Sequence, residues 1–264
     1  MFLKTNYSFV SCSKLTSSKA LLWNEEKDYD SIETIKRNHA KLLPKSIQHD
    51  KKIRQTMILC DIGNTSYDFL INEKQQKVFL NENLPQMNEP IYYISVNEKA
   101  TAKLLNTYPT SINLETFLNF ETLYVGMGVD RKVACYGGDN AIIVDAGSAI
   151  TVDIMENGIH MGGFILPGLR KFHDIYAQIS PKLDFDFALK QNLDKIPQNT
   201  QDAISYSILK AIILPIKEIA HNKQLLFTGG DGEFLSSFFS ESIYKKDLIF
   251  DNMKRIIRAN SCIA

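Results

Sequence analysis

From Met57 onward, short apolar runs alternate with turns built from Gly, Asp and Asn. Met57-Ile58-Leu59-Cys60 runs into Asp61-Ile62-Gly63-Asn64-Thr65, a pattern that predicts a buried strand followed by a turn. Phe69-Leu70-Ile71 and Lys77-Val78-Phe79-Leu80 continue as strands on either side of the polar segment 72–76, so this part opens as a β-meander. Ile91-Tyr92-Tyr93-Ile94-Ser95-Val96 is the next strand, and a helix follows from Ala100 to Leu105.

The same order of signals returns near residue 141. Ala141-Ile142-Ile143-Val144 leads into Asp145-Ala146-Gly147-Ser148, then into Ala149-Ile150-Thr151-Val152-Asp153-Ile154. The segment 160–168 reads as a further strand and Gly-Pro turn. Helical patterns occupy 169–180 and 199–221, and Leu225-Leu226-Phe227-Thr228 is a late strand entering the Gly229-Gly230 turn. Short helices are expected at 233–239 and 251–260. A strand that ends in Asp-x-Gly followed by a small polar residue therefore occurs twice, which predicts an α/β chain with an internal duplication: a first half at 57–140 and a second at 141–264.

Residues 1–56 have a different texture, rich in Ser, Lys and Asn, with one weak amphipathic stripe (Ile32, Ile35, Leu42, Leu43) ended by Pro44. This block carries a net charge of +5 against −5 for residues 57–264. It is expected to be a poorly structured or loosely docked extension without catalytic residues, the enzyme-like sequence beginning at Met57. The whole chain is neutral, with Lys+Arg and Asp+Glu each totalling 30, and offers no electrostatic case for nucleic acid or an anionic membrane. Cys12, Cys60, Cys135 and Cys262 have no metal-ligand spacing and no disulfide framework, and the chain lacks a long apolar run or a leader pattern. Together these predict a cytoplasmic protein.

Asp-x-Gly-x-Thr after a buried strand suits phosphate chemistry. The Gly allows backbone N–H groups to approach phosphate oxygens, the Asn and Thr add neutral donors, and the Asp faces a metal ion, water or cation. Asp61 with Thr65 resembles one half of an ATP–Mg²⁺ clamp, and Asp145 with Ser148 the other. Singly, each motif fits an ordinary solvated turn better than a clamp; their duplication and the third Gly turn at 228–230 reverse that preference. The chain has no Gly-x-x-x-x-Gly-Lys-(Ser/Thr) loop, and Gly126-x-Gly128 lacks the context of a dinucleotide fingerprint. Asp130, beside Arg131 after a Gly turn, reads either as a helix start with a surface ion pair or as a general base for an attacking hydroxyl. His160, His173 and His221 are dispersed and read as surface or capping residues.

Asp61-Ile-Gly-Asn-Thr65, Gly128-Val-Asp-Arg131, Asp145-Ala-Gly-Ser-Ala149, Gly162-Gly-Phe-Ile-Leu-Pro-Gly168, Asn199-Thr200 and Thr228-Gly-Gly230 resemble, in order, the signature motifs of type III pantothenate kinases. The resemblance implies two ribonuclease-H-like (actin-like ATPase) halves and a homodimer that transfers the γ-phosphate of ATP to pantothenate. It further implies that Asp61, Ile62, Gly63, Asn64, Thr65, Ser66, Tyr67 and Asp68 line the phosphates and that Ser148 touches ATP. On the same basis Asp145 holds K⁺ or ammonium, while Gly128, Val129, Asp130 and Arg131 meet pantothenate, with Asp130 as base. Thr200 is implied to reach pantothenate across the dimer interface. Ser148 stands where the family usually has Thr, and Glu121 stands where it has a substrate-contacting Tyr, a role that Tyr124 is expected to take over. Other actin-like kinases or phosphatases, and a non-catalytic regulator, are the rival readings. The position of Gly-x-Asp-Arg before the second clamp argues against the former, and retention of Asp61, Asp130 and Asp145 against the latter.

Overall fold

The computed structural model describes residues 57–188 and 192–261. The expected extension at 1–56, with its helix near 31–43, lies outside the described residues.

The apolar runs form two mixed five-stranded sheets. The first contains β1 (Ile58–Ile62), β2 (Ser66–Ile71), β3 (Lys74–Phe79), β4 (Ile91–Ser95) and β5 (Ile112–Asn113), ordered β3-β2-β1-β4-β5. The second contains β6 (Ala141–Ala146), β7 (Ala149–Glu156), β8 (Ile159–Pro167), β9 (Gln224–Thr228) and β10 (Ile243–Tyr244), ordered β10-β9-β6-β7-β8. Taken from the opposite edge, the second order repeats the first: an antiparallel meander, then two strands added in parallel. The chain is thus α/β with two ribonuclease-H-like halves. β5 and β10, two residues each, are too short to show a period-2 pattern and were not legible in the sequence.

Among the described residues six α-helices flank the sheets: α1 (Glu98–Thr107), α2 (Val129–Cys135), α3 (Leu169–Ile179), α4 (Thr200–Ala220), α5 (Gly232–Ser236) and α6 (Leu248–Ser261). Asn97 caps α1 by accepting the Ala100 N–H, and Asn199 caps α4 by accepting that of Asp202. α6 begins earlier than the expected residue 251 because Leu248 and Phe250 are drawn into the interior. Among the described residues no helix is long and apolar enough to cross a membrane.

Alternation along the strands decides which face each residue covers. Ile58, Cys60 and Ile62 pack with Ala100 and Leu104 of α1, whereas Leu59 turns the other way and meets Leu70, Ile94, Val129 and Val133 of α2, and Met253 and Ile256 of α6. In the second sheet Ile142, Val144 and Val152 pack against Ile204, Ile208 and Ile212 of α4, while Ile143 and Met155 face Ala134 and Cys135 of α2. Helix α2 therefore contributes to the core on one side of each sheet. Helix α6 holds it there: Asn252 Nδ2 donates to the Val133 and Ala134 carbonyls at 2.8 and 3.1 Å, satisfying two carbonyls at the end of α2.

Candidate active site

The face of each sheet that turns towards α2 carries polar residues at its C-terminal edge. In β1, Asp61 shares the face of Leu59; on β2 its cross-strand neighbour is Asp68, which shares the face of Leu70. In β6, Asp145 shares the face of Ile143, and Thr151 of β7 lies opposite it. Asp130, in the first turn of α2, completes the set. Its Oδ1 accepts the Arg131 N–H at 2.8 Å.

These carboxylates act on one another. Burial, then repulsion from Asp145, Asp130 and Asp68, raises Asp61 to about 8, against a small opposing pull from Lys77. Burial followed by repulsion from Asp130, Asp153 and Asp68 raises Asp145 to about 6. Burial also lifts the Asp130 carboxyl above its ordinary value, with the Arg131 N–H and guanidinium pulling the other way. Crowded carboxylates of this kind favour a bound cation or a proton. No three Asp, Glu, His or Cys side chains among the described residues form a ready metal cage. One or two carboxylates completed by water and phosphate oxygens is the donor set that suits Mg²⁺ accompanying a polyphosphate.

The two turns that flank the carboxylates are tight. Gly63 N–H donates to the Ser66 carbonyl at 3.0 Å, which leaves Asn64 and Thr65 exposed at the tip of the β1–β2 hairpin. Gly147 N–H donates to Ala149 at 2.9 Å, exposing Ser148 at the tip of β6–β7. The Gly229 turn closes over the end of β6: its φ is +84°, and a Cβ there would stand 2.5 Å from both Asp145 Oδ1 and the Ala146 carbonyl. Only glycine fits that backbone beside Asp145.

Family comparison decides what these features belong to. The type III pantothenate kinase family model matches residues 76–222. A type III pantothenate kinase of Campylobacter jejuni is 49% identical over 205 residues, covering 77% of this chain and 98% of the relative. The enzyme of that name from Helicobacter hepaticus is 46% identical over 204 residues, covering 76% and 98%. The chain belongs to the type III pantothenate kinase family. A solved Campylobacter jejuni structure, described as a conserved Baf family transcriptional activator, superposes with a TM-score of 0.71 at 48% identity, covering 77% of this chain and 98% of its own.

Placed in this family, the residues expected at the site separate into groups. Asp61 lies within electrostatic reach of Asp68, Asp130 and Asp145, and Asp145 within reach of Asp68 and Asp130, with the exposed tips Asn64, Thr65 and Ser148 at the hairpin ends. Ile62 and Tyr67 are fully buried, and the Tyr67 hydroxyl donates to the Ala100 carbonyl, so their side chains belong to the core beneath the turn. Ser66 is also buried, and its hydroxyl donates to Asp68 at 3.0 Å. Asp68 in turn pairs with Lys77 at 3.2 Å. Gly128 caps α2 and Val129 is in the core. Thr200 opens α4 on the surface, and among the described residues no hydrogen bond joins it to the carboxylate group.

Arg131 departs from the surface ion pair considered for it. It is 5% exposed and pairs with Asp153 of β7: Nη2 lies 2.6 Å from Oδ1, and Nε lies 3.2 Å from each carboxylate oxygen. Burial alone would lower the Arg131 pKa, but attraction to Asp153 outweighs it and holds the guanidinium above its ordinary value. The Tyr124 ring covers it, 4.7 Å from Cζ. His160, expected at the surface, is fully buried, because β8 turns it inward to place Nε2 2.8 Å from Asp153 Oδ1. From sequence alone Asp153 has no assigned role, and His160 reads as a surface or capping residue. The available signal was a carboxylate in the interior of a predicted strand, flanked by Val152 and Ile154.

Proposed function

We propose that this chain transfers the γ-phosphoryl group of ATP to the terminal hydroxyl of pantothenate, yielding 4′-phosphopantothenate in the first step of coenzyme A biosynthesis. The observation that carries this reading is the convergence of the Asp61 and Asp145 hairpins on helix α2, whose first turn bears Asp130. Phosphoryl transfer asks mainly for alignment and charge neutralisation, which paired turns supply.

In this reading the Asp61–Asp68 hairpin receives the phosphates through the exposed donors of Asn64 and Thr65, and Ser148 does so from the second hairpin. Bound Mg²⁺ would offset phosphate charge near Asp61. Asp145 takes a monovalent cation, K⁺ or ammonium, beside the Gly229 turn. Asp130, more basic than an ordinary carboxylate because of its burial, accepts the proton of the pantothenate hydroxyl as that oxygen attacks the γ-phosphorus and the bond to ADP breaks. Gly128, Val129, Arg131 and Tyr124 form the acceptor side. Thr200, exposed at the start of α4, contributes from a second copy in a cytoplasmic homodimer.

A coupled ADP-release assay with pantothenate, pantetheine and simple sugars tests the proposal. Release dependent on pantothenate and K⁺, with none on sugars, is expected; equal turnover with a sugar would assign the site to another actin-like kinase. The solved relative described as a transcriptional activator supports a second reading, a regulator without turnover. No ADP release with any acceptor, together with tight promoter-DNA binding, would favour that alternative.

A further inference from the structure

Asp153 sits where a charge is costly. It is fully buried in the middle of β7, and a lone carboxylate there would be strongly destabilising. Three features make room for it and satisfy it. Gly163 is its cross-strand partner on β8, and a Cβ at that position would lie 2.1 Å from the Val152 carbonyl and 3.0 Å from Asp153 Oδ1. The absence of a side chain opens the approach to the carboxylate. Arg131 then binds it through Nε and Nη2, and His160 Nε2 reaches Oδ1 at 2.8 Å.

The network continues beyond the histidine. His160 Nδ1 lies 2.7 Å from Thr122 Oγ1, and that oxygen accepts the Tyr124 N–H at 2.9 Å. With the ring proton on Nε2, every donor has a complementary acceptor: Tyr124 N–H to Thr122, Thr122 O–H to His160, and His160 N–H to Asp153. The backbone reinforces the connection, since His160 N–H donates to the Glu121 carbonyl and Leu123 N–H to that of His160. A closed path thus runs from Asp153 through two routes, one to the Arg131 guanidinium and one to the segment whose Tyr124 ring covers that guanidinium.

We propose that Asp153 is a positioning residue for the acceptor side of the site, its one carboxylate fixing Arg131 directly and Tyr124 by way of His160 and Thr122. It contacts no reacting atom. Its role is to hold two successive elements, the segment 121–125 and α2, in a single geometry against β7 and β8 before pantothenate binds. This inference rests on the assignment of Arg131 and Tyr124 to the acceptor side.

Steady-state kinetics on the full chain, varying pantothenate and ATP separately, tests it. Thr122→Val removes the hydroxyl relay at nearly constant volume. Its KM for pantothenate should rise by roughly 10-fold to 100-fold, the size expected when a positioning group shifts by about 1 Å, with the KM for ATP unchanged. Thr122→Ser should return most of that loss. Asp153→Asn should shift the same parameter further and lower the melting temperature; if it fails to fold, the Thr122 pair still decides. An unchanged pantothenate KM in Thr122→Val, or equal rises for both substrates, would overturn the inference. Arg131→Lys separates the two levels. If it raises the pantothenate KM while Thr122→Val does not, only the positioning role falls; if Arg131→Lys leaves that KM unchanged, the acceptor-side assignment falls and takes the positioning role with it.

Discussion

The two hairpins, β1–β2 and β6–β7, follow one design, and two differences in polarity between their paired positions set them apart. Opposite the motif Asp, the first copy has a second carboxylate, Asp68, where the second has Thr151. Two residues further along, buried Leu70 faces Leu59 in the first copy, while buried Asp153 faces Ile143 in the second. Both motif carboxyls are raised, chiefly by burial and then by neighbouring carboxylates, Asp61 to about 8 and Asp145 to about 6, and Asp68 adds to the repulsion on each. The second difference makes one sheet a plain apolar floor for Val129 and Val133 of α2, and the other an ionic anchor for Arg131 on the same helix. Duplication thus supplies the frame, and on the proposed function the departures from it divide the labour between phosphate and acceptor.

Erasing the second difference should have the largest effect. Asp153→Leu makes the second hairpin resemble the first but strands a buried guanidinium, costing about 3–5 kcal/mol by denaturant unfolding. Adding Arg131→Met should recover much of that stability while leaving pantothenate turnover lost. Recovery of turnover in the double variant would show that the ionic anchor is dispensable.

The cation site proposed at Asp145 comes next. Asp145→Asn should weaken ATP binding about tenfold, equivalent to about 1.4 kcal/mol, and blunt the preference for K⁺ over Na⁺. Asp61→Asn should leave that preference intact. Titration calorimetry in the two salts distinguishes them, and identical behaviour of both variants would dissolve the proposed division.

A smaller effect is expected from pH. A carboxyl whose pKa rises on folding binds its proton more tightly in the folded state. Its contribution to stability is therefore full below the unfolded value of about 3.9 and is lost as pH climbs through the folded value. For Asp61, hemmed in by Asp145, Asp130 and Asp68 with Lys77 nearby, that loss extends to about 8; for Asp145 it ends near 6. The melting temperature of the ligand-free protein should fall over this range, and Asp61→Asn should recover about 2–4 °C at the alkaline end, the shift that about 1 kcal/mol produces in a domain of roughly 200 residues. The smallest change is expected from a chain beginning at Met57, whose kcat and KM should match those of the full chain; lost activity would assign residues 1–56 a part in the enzyme.

Much of this architecture was readable from residue order. Strands such as 58–62 and 141–146 announced themselves because an apolar run broke at Asp-x-Gly, and the long helix α4 because its apolar positions recur with Asn199 as cap. The two Gly turns at 63 and 147 were legible for the same reason: their signal is local. What escaped was non-local. Asp153 and His160 are seven residues apart on adjacent strands, yet their meaning depends on Arg131 arriving from α2 and Thr122 from a loop. Nor does any pattern within α6 reveal that its Asn252 caps a helix 118 residues earlier in the chain.

The account turns on Asp130 as the base that α2 delivers between the two hairpins. Asp130→Asn keeps the shape of that side chain and removes its proton acceptor. Its kcat for pantothenate, measured alongside the dissociation constant for ATP, is the most direct test. Turnover should fall by roughly 10²–10⁴ with ATP affinity nearly unchanged. An Asn variant that turns over at close to the parent rate would contradict the account.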